Sequence, residues 1–287
     1  MSGQGTSQDC AVRGLFLDAP SGRIFAAHHG PAQSASAHGQ VLLVPPFNEE
    51  MNRCRSMMTL QALELAKLGY GVLVVDPHGT GDSEGEFGDA RWELWLQDLE
   101  AAFHWLDKQP GECRAIMGIR LGAILVTEVL HRLQATGIAV ILWQPVTDGK
   151  IHLTQFLRVR MAALLDRADL PKETTASMRQ QLGQGVSVEV AGYEIHPELA
   201  LAIDGARLAR HAPVLATRTL WMEVAAAAGA TLAPASQAVV STWQDEGMQV
   251  DARTVEGPAF WQLHERVTAP AVIETTTAWF QNQLASP

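Results

Sequence analysis

An α/β fold on a mostly parallel sheet is what three observations predict. Two short apolar runs, QVLLV at residues 40–44 and GVLVVD at 71–76, are each halted by proline, as strands buried on both faces are. Segments with apolar residues three and four positions apart lie between and after them. The resulting strand–helix–strand rhythm implies right-handed crossovers and parallel neighbours, with helices on both faces of the sheet.

The elements follow in order. Residues 12–17 and 24–28 read as a hairpin over the turn residues Asp18, Pro20, Ser21 and Gly22. After the strand at 40–44, Met57, Leu60 and Leu63 recur at helical spacing, and Gly69 stands where a left-handed C-terminal cap belongs. A second helix begins at an Asp89 cap and carries Trp92, Trp95, Leu99, Phe103 and Leu106 along one face. Residues 114–117 then read as a strand, 121–133 as a helix and 139–146 as a strand. From 149 to 212 the rhythm gives way to irregular, mostly helical sequence too long for an ordinary connection, which we read as an inserted cap. Strands at 218–224 and 248–255, a helix within 233–246 and a closing helix over 271–284 complete one domain across 1–287. Its core is 12–148 and 213–285, and its cap 149–212.

Composition narrows the partners. The chain has 287 residues, 47% of them hydrophobic, and sets 21 Lys and Arg against 31 Asp and Glu, a formal charge of −10. That field repels phosphate backbones, so nucleic acid is not an expected partner. Cys10, Cys54 and Cys113 are odd in number and show no zinc spacing, which points to a reducing compartment without a structural metal. No cationic leader with an apolar run opens the sequence, and no long charge-free apolar stretch follows, so the expectation is a cytoplasmic chain without a membrane span. No motif asks for a cofactor.

In an open α/β sheet the ligand crevice lies beyond the carboxyl ends of the strands, so the loops after them deserve inspection: residues 45–55, 76–85, 118–122 and 147–148. The loop DPHGTGDSEG resembles the Asp-x-x-Gly-x-Gly-x-Ser-x-Gly turn of the α/β-hydrolase superfamily, a likeness that extends over about 40–146 and again 218–284. GIRLG stands where that superfamily has its nucleophile elbow, Gly-x-Ser-x-Gly, with the serine on a strained turn at a helix start. Here the middle residue is Arg120. A guanidinium stays protonated and offers no lone pair for attack on an acyl carbon, so serine chemistry at this position is excluded. In a serine protease, loss of the nucleophile costs on the order of 10⁶ in turnover. Of the other two members the superfamily uses, an acid near the strand at 219–224 reduces to Glu223, and the histidine expected after the last strand reduces to a late His264.

A closer likeness exists. FNEEMNRCRSM, GTGDSEGEFGDARWELW, GIRLG, WQPVTDGK with LTQFLR, and VEGPAFW together resemble the exosortase A system-associated hydrolase 2 family, over most of the chain. The resemblance implies a cytoplasmic, hydrolase-like accessory protein beside exosortase and exopolysaccharide machinery of Gram-negative bacteria, with a protein of that system as a partner. The hydrolase label there rests on fold, and fold does not establish an activity.

Each candidate has two readings. Arg120 at a helix N-terminus either builds an anion site or pairs internally with Glu49, Glu50 or Asp148 and plugs the crevice. Glu49, Glu50, Arg53 and Arg55 either surround a ligand or simply suit the start of a helix. Ser83 serves its turn, and Cys54 and Cys113 read as buried and inert. Asp148, at the end of a core strand, is a candidate relocated acid, His264 a candidate base, and Trp143 and Trp261 candidate pocket walls. Two function classes result: an accessory protein that binds a small acidic molecule or partner at Arg120, or an ester or thioester hydrolase with His264 as base and Asp148 or Glu223 orienting it.

Overall fold

A computed structural model of the chain describes residues 11–31, 38–164, 173–212, 218–263 and 265–283. The apolar runs become strands with no exposed residue: β3 (Gly39–Val44), β4 (Tyr70–Val75) and β6 (Ala139–Trp143) are buried throughout. The N-terminal hairpin β1 (Val12–Ala19) and β2 (Gly22–His29) joins them, as do β5 (Cys113–Ile119), β9 (Arg218–Ala225) and β10 (Gln249–Glu256). They form one eight-stranded sheet in the order β1-β2-β4-β3-β5-β6-β9-β10. β1 with β2 and β2 with β4 are antiparallel, and every other neighbouring pair is parallel. Leu42 sits opposite Leu73 on one side and Ile116 on the other.

Strand alternation divides the core between the two faces. Val41 and Leu43 pack with Met57, Met58 and Leu65 of α1 (Glu49–Lys67) and with Trp279 and Phe280 of α8 (Pro270–Gln283). Leu42 and Val44 pack with Leu96, Leu99 and Leu106 of α2 (Trp92–Asp107) and with Ile124 of α3 (Gly122–Leu133). Trp243 of α7 (Pro234–Asp245) belongs to the same cluster. Each such Leu or Phe removed from water contributes about 1.5–3 kcal/mol, and these layers hold the sheet ends still.

Several expectations need correction. Met57 lies on the buried stripe of α1, but Leu60 and Leu63 fall at its margin, because the stripe runs through Met51, Cys54, Met58, Ala62 and Leu65. Gly69 is left-handed, at φ 88°, as its place predicts. Asp89 does not cap α2, whose N-cap is Arg91; the Asp89 carboxylate instead accepts from the Glu86 amide across a short 3₁₀ turn. β6 stops at Trp143 rather than Val146, because Gln144 turns to φ 43° and its amide bonds Met222 O of β9.

Between β6 and β9 lie α4 (Gly149–Leu164), α5 (Thr175–Gly183) and α6 (Pro197–Gly205), with a small hairpin of β7 (Val188–Val190) and β8 (Tyr193–Ile195) that the mostly helical reading missed. Leu153, Leu157, Leu199 and Ile203 of this segment belong to the same apolar cluster as α2 and α3. No helix among the described residues is long and apolar enough to cross a membrane.

The sheet order places the site. From β3 the chain crosses to β4 on one side, then to β5 on the other, so the loops leaving β3 and β5 diverge and a crevice opens at their carboxyl ends.

Candidate functional site

The corner between β5 and α3 is as sharp as two glycines allow. A Cβ on Gly118 would lie 2.7 Å from Ala123 Cα, and one on Gly122 would lie 2.6 Å from Pro45 O. Both residues let strand, helix and the end of β3 approach closely. Arg120 between them takes φ 54°, a left-handed conformation that L residues with a side chain seldom adopt. Its amide donates to Trp143 O at 3.0 Å, and its carbonyl accepts from Ala123 N and Val146 N, both at 3.1 Å. The corner is thus fixed from β6 as well.

The Arg120 side chain, about one-eighth exposed, meets Glu50 of α1. Its Nε lies 3.3 Å from both carboxylate oxygens and its Nη2 3.2 Å from one, while Nη1 donates to Gln144 O at 3.2 Å. The guanidinium also stacks over the Trp261 ring, 5.2 Å from its centroid. One turn along α1, Arg53 pairs with Glu49 and reaches Trp261 O at 3.4 Å. Glu49 and Glu50 sit in the first turn of α1, where the helix dipole favours carboxylates.

Internal pairing does not plug the crevice. A cavity of about 350 Å³, large enough for a small molecule, remains against these groups. The β3 loop contributes Phe47 and Asn48, α1 contributes Glu49, Glu50 and Arg53, and the β5 corner contributes Arg120. α4 closes it with His152, Gln155, Phe156 and Val159, the β7–β8 turn with Ala191, and the loop after β10 with Trp261 and Gln262. Among these described lining residues there is no serine, threonine, cysteine or tyrosine.

Two buried polar residues among them escaped the sequence reading. His152 is 5% exposed, and neither ring nitrogen has a hydrogen-bond partner. Burial pushes its pKa down to about 4, Glu50 acting against that fall and Arg120 with it. Asn48 is 6% exposed at the N-cap of α1, yet its side chain makes no cap hydrogen bond, and neither its amide nitrogen nor its oxygen has a partner. An unsatisfied buried polar group costs about 1–3 kcal/mol. Asn before a helix start is an ordinary cap signal, which hid its availability. His152 has no motif at all; it reaches the site only because α4 crosses over Phe47, the two rings 5.8 Å apart.

The other candidates lie elsewhere. Asp148 stands beyond the end of β6, where one carboxylate oxygen accepts from Lys150 N at 2.8 Å and Ile151 N at 3.2 Å at the start of α4, and the other pairs with Arg207 at 3.3 Å. Glu223 accepts from Ala233 N at 2.9 Å. His264 lies outside the described residues. Arg55 leaves the loop network for Asp76, at 2.7 Å. Ser83 Oγ is held within its turn, donating to Asp76 O and accepting from Phe25 N. Both Cys54 and Cys113 are buried, which raises their thiol pKa values, that of Cys113 to about 12. Trp261 is a cavity wall as anticipated, whereas Trp143 is core, its Nε1 bonded to Thr276 Oγ1 at 3.0 Å.

A mostly parallel sheet flanked by helices, with a crevice where β3 and β5 diverge and a left-handed corner between β5 and α3, defines the α/β-hydrolase class. Within that class the chain belongs to the family described as serine aminopeptidase, S33, whose model matches residues 35–186, just over half of the chain. Solved structures agree on the fold. Est1E from Butyrivibrio proteoclasticus, with ferulic acid bound, aligns with a TM-score of 0.67 at 15% identity, covering 95% of this chain and 100% of that chain. A highly thermostable carboxyl esterase from Bacillus coagulans, in complex with glycerol, aligns at 0.63 with 14% identity, covering 96% and 100%. XC6422 from Xanthomonas campestris, described as an α/β serine hydrolase without lid, aligns at 0.53 with 15% identity, covering 94% and 92%. Comparison with curated proteins finds no match.

Proposed function

We propose that this chain is a hydrolase-fold accessory protein that binds a small acidic molecule, or an acidic group of a protein partner, in the crevice at Arg120, without serine-type catalysis. The observation that carries the reading is the guanidinium at the left-handed β5–α3 corner, where the fold class keeps its attacking side chain. That cation faces a cavity whose described lining offers no hydroxyl or thiol. A guanidinium recognises carboxylates through paired N–H donors, and it cannot attack an acyl carbon. The link to an exosortase and exopolysaccharide system, and the cytoplasmic setting, are supported by the sequence stretches that resemble the exosortase A system-associated hydrolase 2 family.

Thermal unfolding in the presence of small organic acids tests the reading. Protection is expected to saturate with concentration and to vanish in Arg120→Ala; protection that survives in that variant contradicts it. A second reading, ester or thioester hydrolysis by a relocated constellation, draws support from the family itself. Its proposed orienters Asp148 and Glu223 have their carboxylates engaged with backbone amides, and with Arg207 in the case of Asp148, which favours the binding reading.

A further inference from the structure

The charges around the cavity are already matched: Arg120 by Glu50 and Arg53 by Glu49. What remains unmet is hydrogen bonding. The Asn48 amide and the His152 imidazole are each more than nine-tenths buried, unpartnered at every side-chain nitrogen and oxygen, and on the cavity wall. The terminal guanidinium nitrogens of Arg120 each carry two N–H groups, and the contacts to Glu50 and Gln144 O use one on each. Unused N–H donors therefore remain on this wall. Beside them the lining is apolar: Phe47 and Phe156, with ring centroids 5.1 Å apart, and Val159.

We propose that the cavity takes a monocarboxylate with an apolar body, its oxygens held by Asn48, His152 and the outer N–H groups of Arg120, and its body lying along Phe47, Phe156 and Val159. This deepens the Arg120 reading and rests on it. A single negative charge fits better than two because the wall holds one neutral group that can become a cation. His152, facing Glu50 of α1 and Arg120 of the β5 corner, can take one proton from solvent as the ligand enters. Carboxylate plus proton leaves the site neutral. A phosphate dianion would leave a charge unmatched.

Titration calorimetry of the full chain at pH 6.5 tests this with defined probes: 3-phenylpropanoate, its amide, acetate and phenyl phosphate. Saturable binding of 3-phenylpropanoate is expected, at least tenfold tighter than the amide, which lacks the charge, than acetate, which lacks the body, and than phenyl phosphate. His152→Phe and Asn48→Ala should each weaken it at least tenfold while retaining the wild-type circular dichroism spectrum, with His152→Gln as the alternative if the phenylalanine variant misfolds. In buffers of different ionisation heat, the wild type should take up protons on binding and His152→Phe should not. Binding by the His152 and Asn48 variants within twofold of wild type, or equal affinity for acetate or phenyl phosphate, overturns the proposal. If 3-phenylpropanoate fails but other acids protect in an Arg120-dependent way, this inference falls and the proposed function stands. If no acid protects in that way, both fall.

Discussion

His152 carries the clearest consequence at the scale of single residues. Its folded-state pKa of about 4 lies below the ordinary 6.5, so between those values the unfolded chain binds the extra proton. Stability therefore rises with pH across that window and is lost on acidification, by about 3 kcal/mol for this group. Unfolding of the wild type and His152→Phe, compared at pH 7 and pH 4.5, should show a smaller drop in the variant; equal drops would mean that the imidazole is not held neutral by burial. Asp148 makes the opposite case, a candidate catalytic acid whose oxygens the structure engages at the start of α4 and with Arg207. Asp148→Ala is expected to cost about 0.5–2 kcal/mol, as the loss of a helix cap does, and to leave binding at Arg120 unchanged. A full loss of binding would return Asp148 to the site.

At the scale of elements, the corner between β5 and α3 depends on Gly122, where a Cβ would press to 2.6 Å from Pro45 O. Gly122→Ala should therefore cost about 1–3 kcal/mol, as overpacking does, and lower Tm by several degrees. An unchanged Tm would mean that β3 and α3 are not locked together there. This corner was readable in advance, because GIRLG follows an apolar strand and precedes a helix, and the glycine spacing leaves few other geometries. The double-faced strands β3 and β4 were readable for the same kind of reason: apolar runs ended by proline. The end of β6 was not, because Gln144 turns on a bond to β9, far away in sequence. Nor was the cap of α2, where Asp89 looks like a cap locally but is drawn into the preceding 3₁₀ turn. The cavity was half legible. Arg120, Glu49, Glu50, Arg53 and Trp261 were named from loops that follow strands, whereas Asn48 and His152 became visible only through what they fail to bond once α4 lies over Phe47.

For the whole molecule, the sheet order forces a crevice between β3 and β5, and the S33 family match accounts for the frame around it. What this chain places in that frame is two ion pairs and two unpartnered polar groups. Under the proposed function the hydrolase fold supplies the corner and the cavity, and Arg120 serves recognition in place of attack. Steady-state hydrolysis of p-nitrophenyl butyrate and a butyryl thioester by the purified wild type tests that assignment most directly. The expected result is no saturable turnover above the buffer rate. Saturable turnover that persists in Arg120→Ala would contradict it.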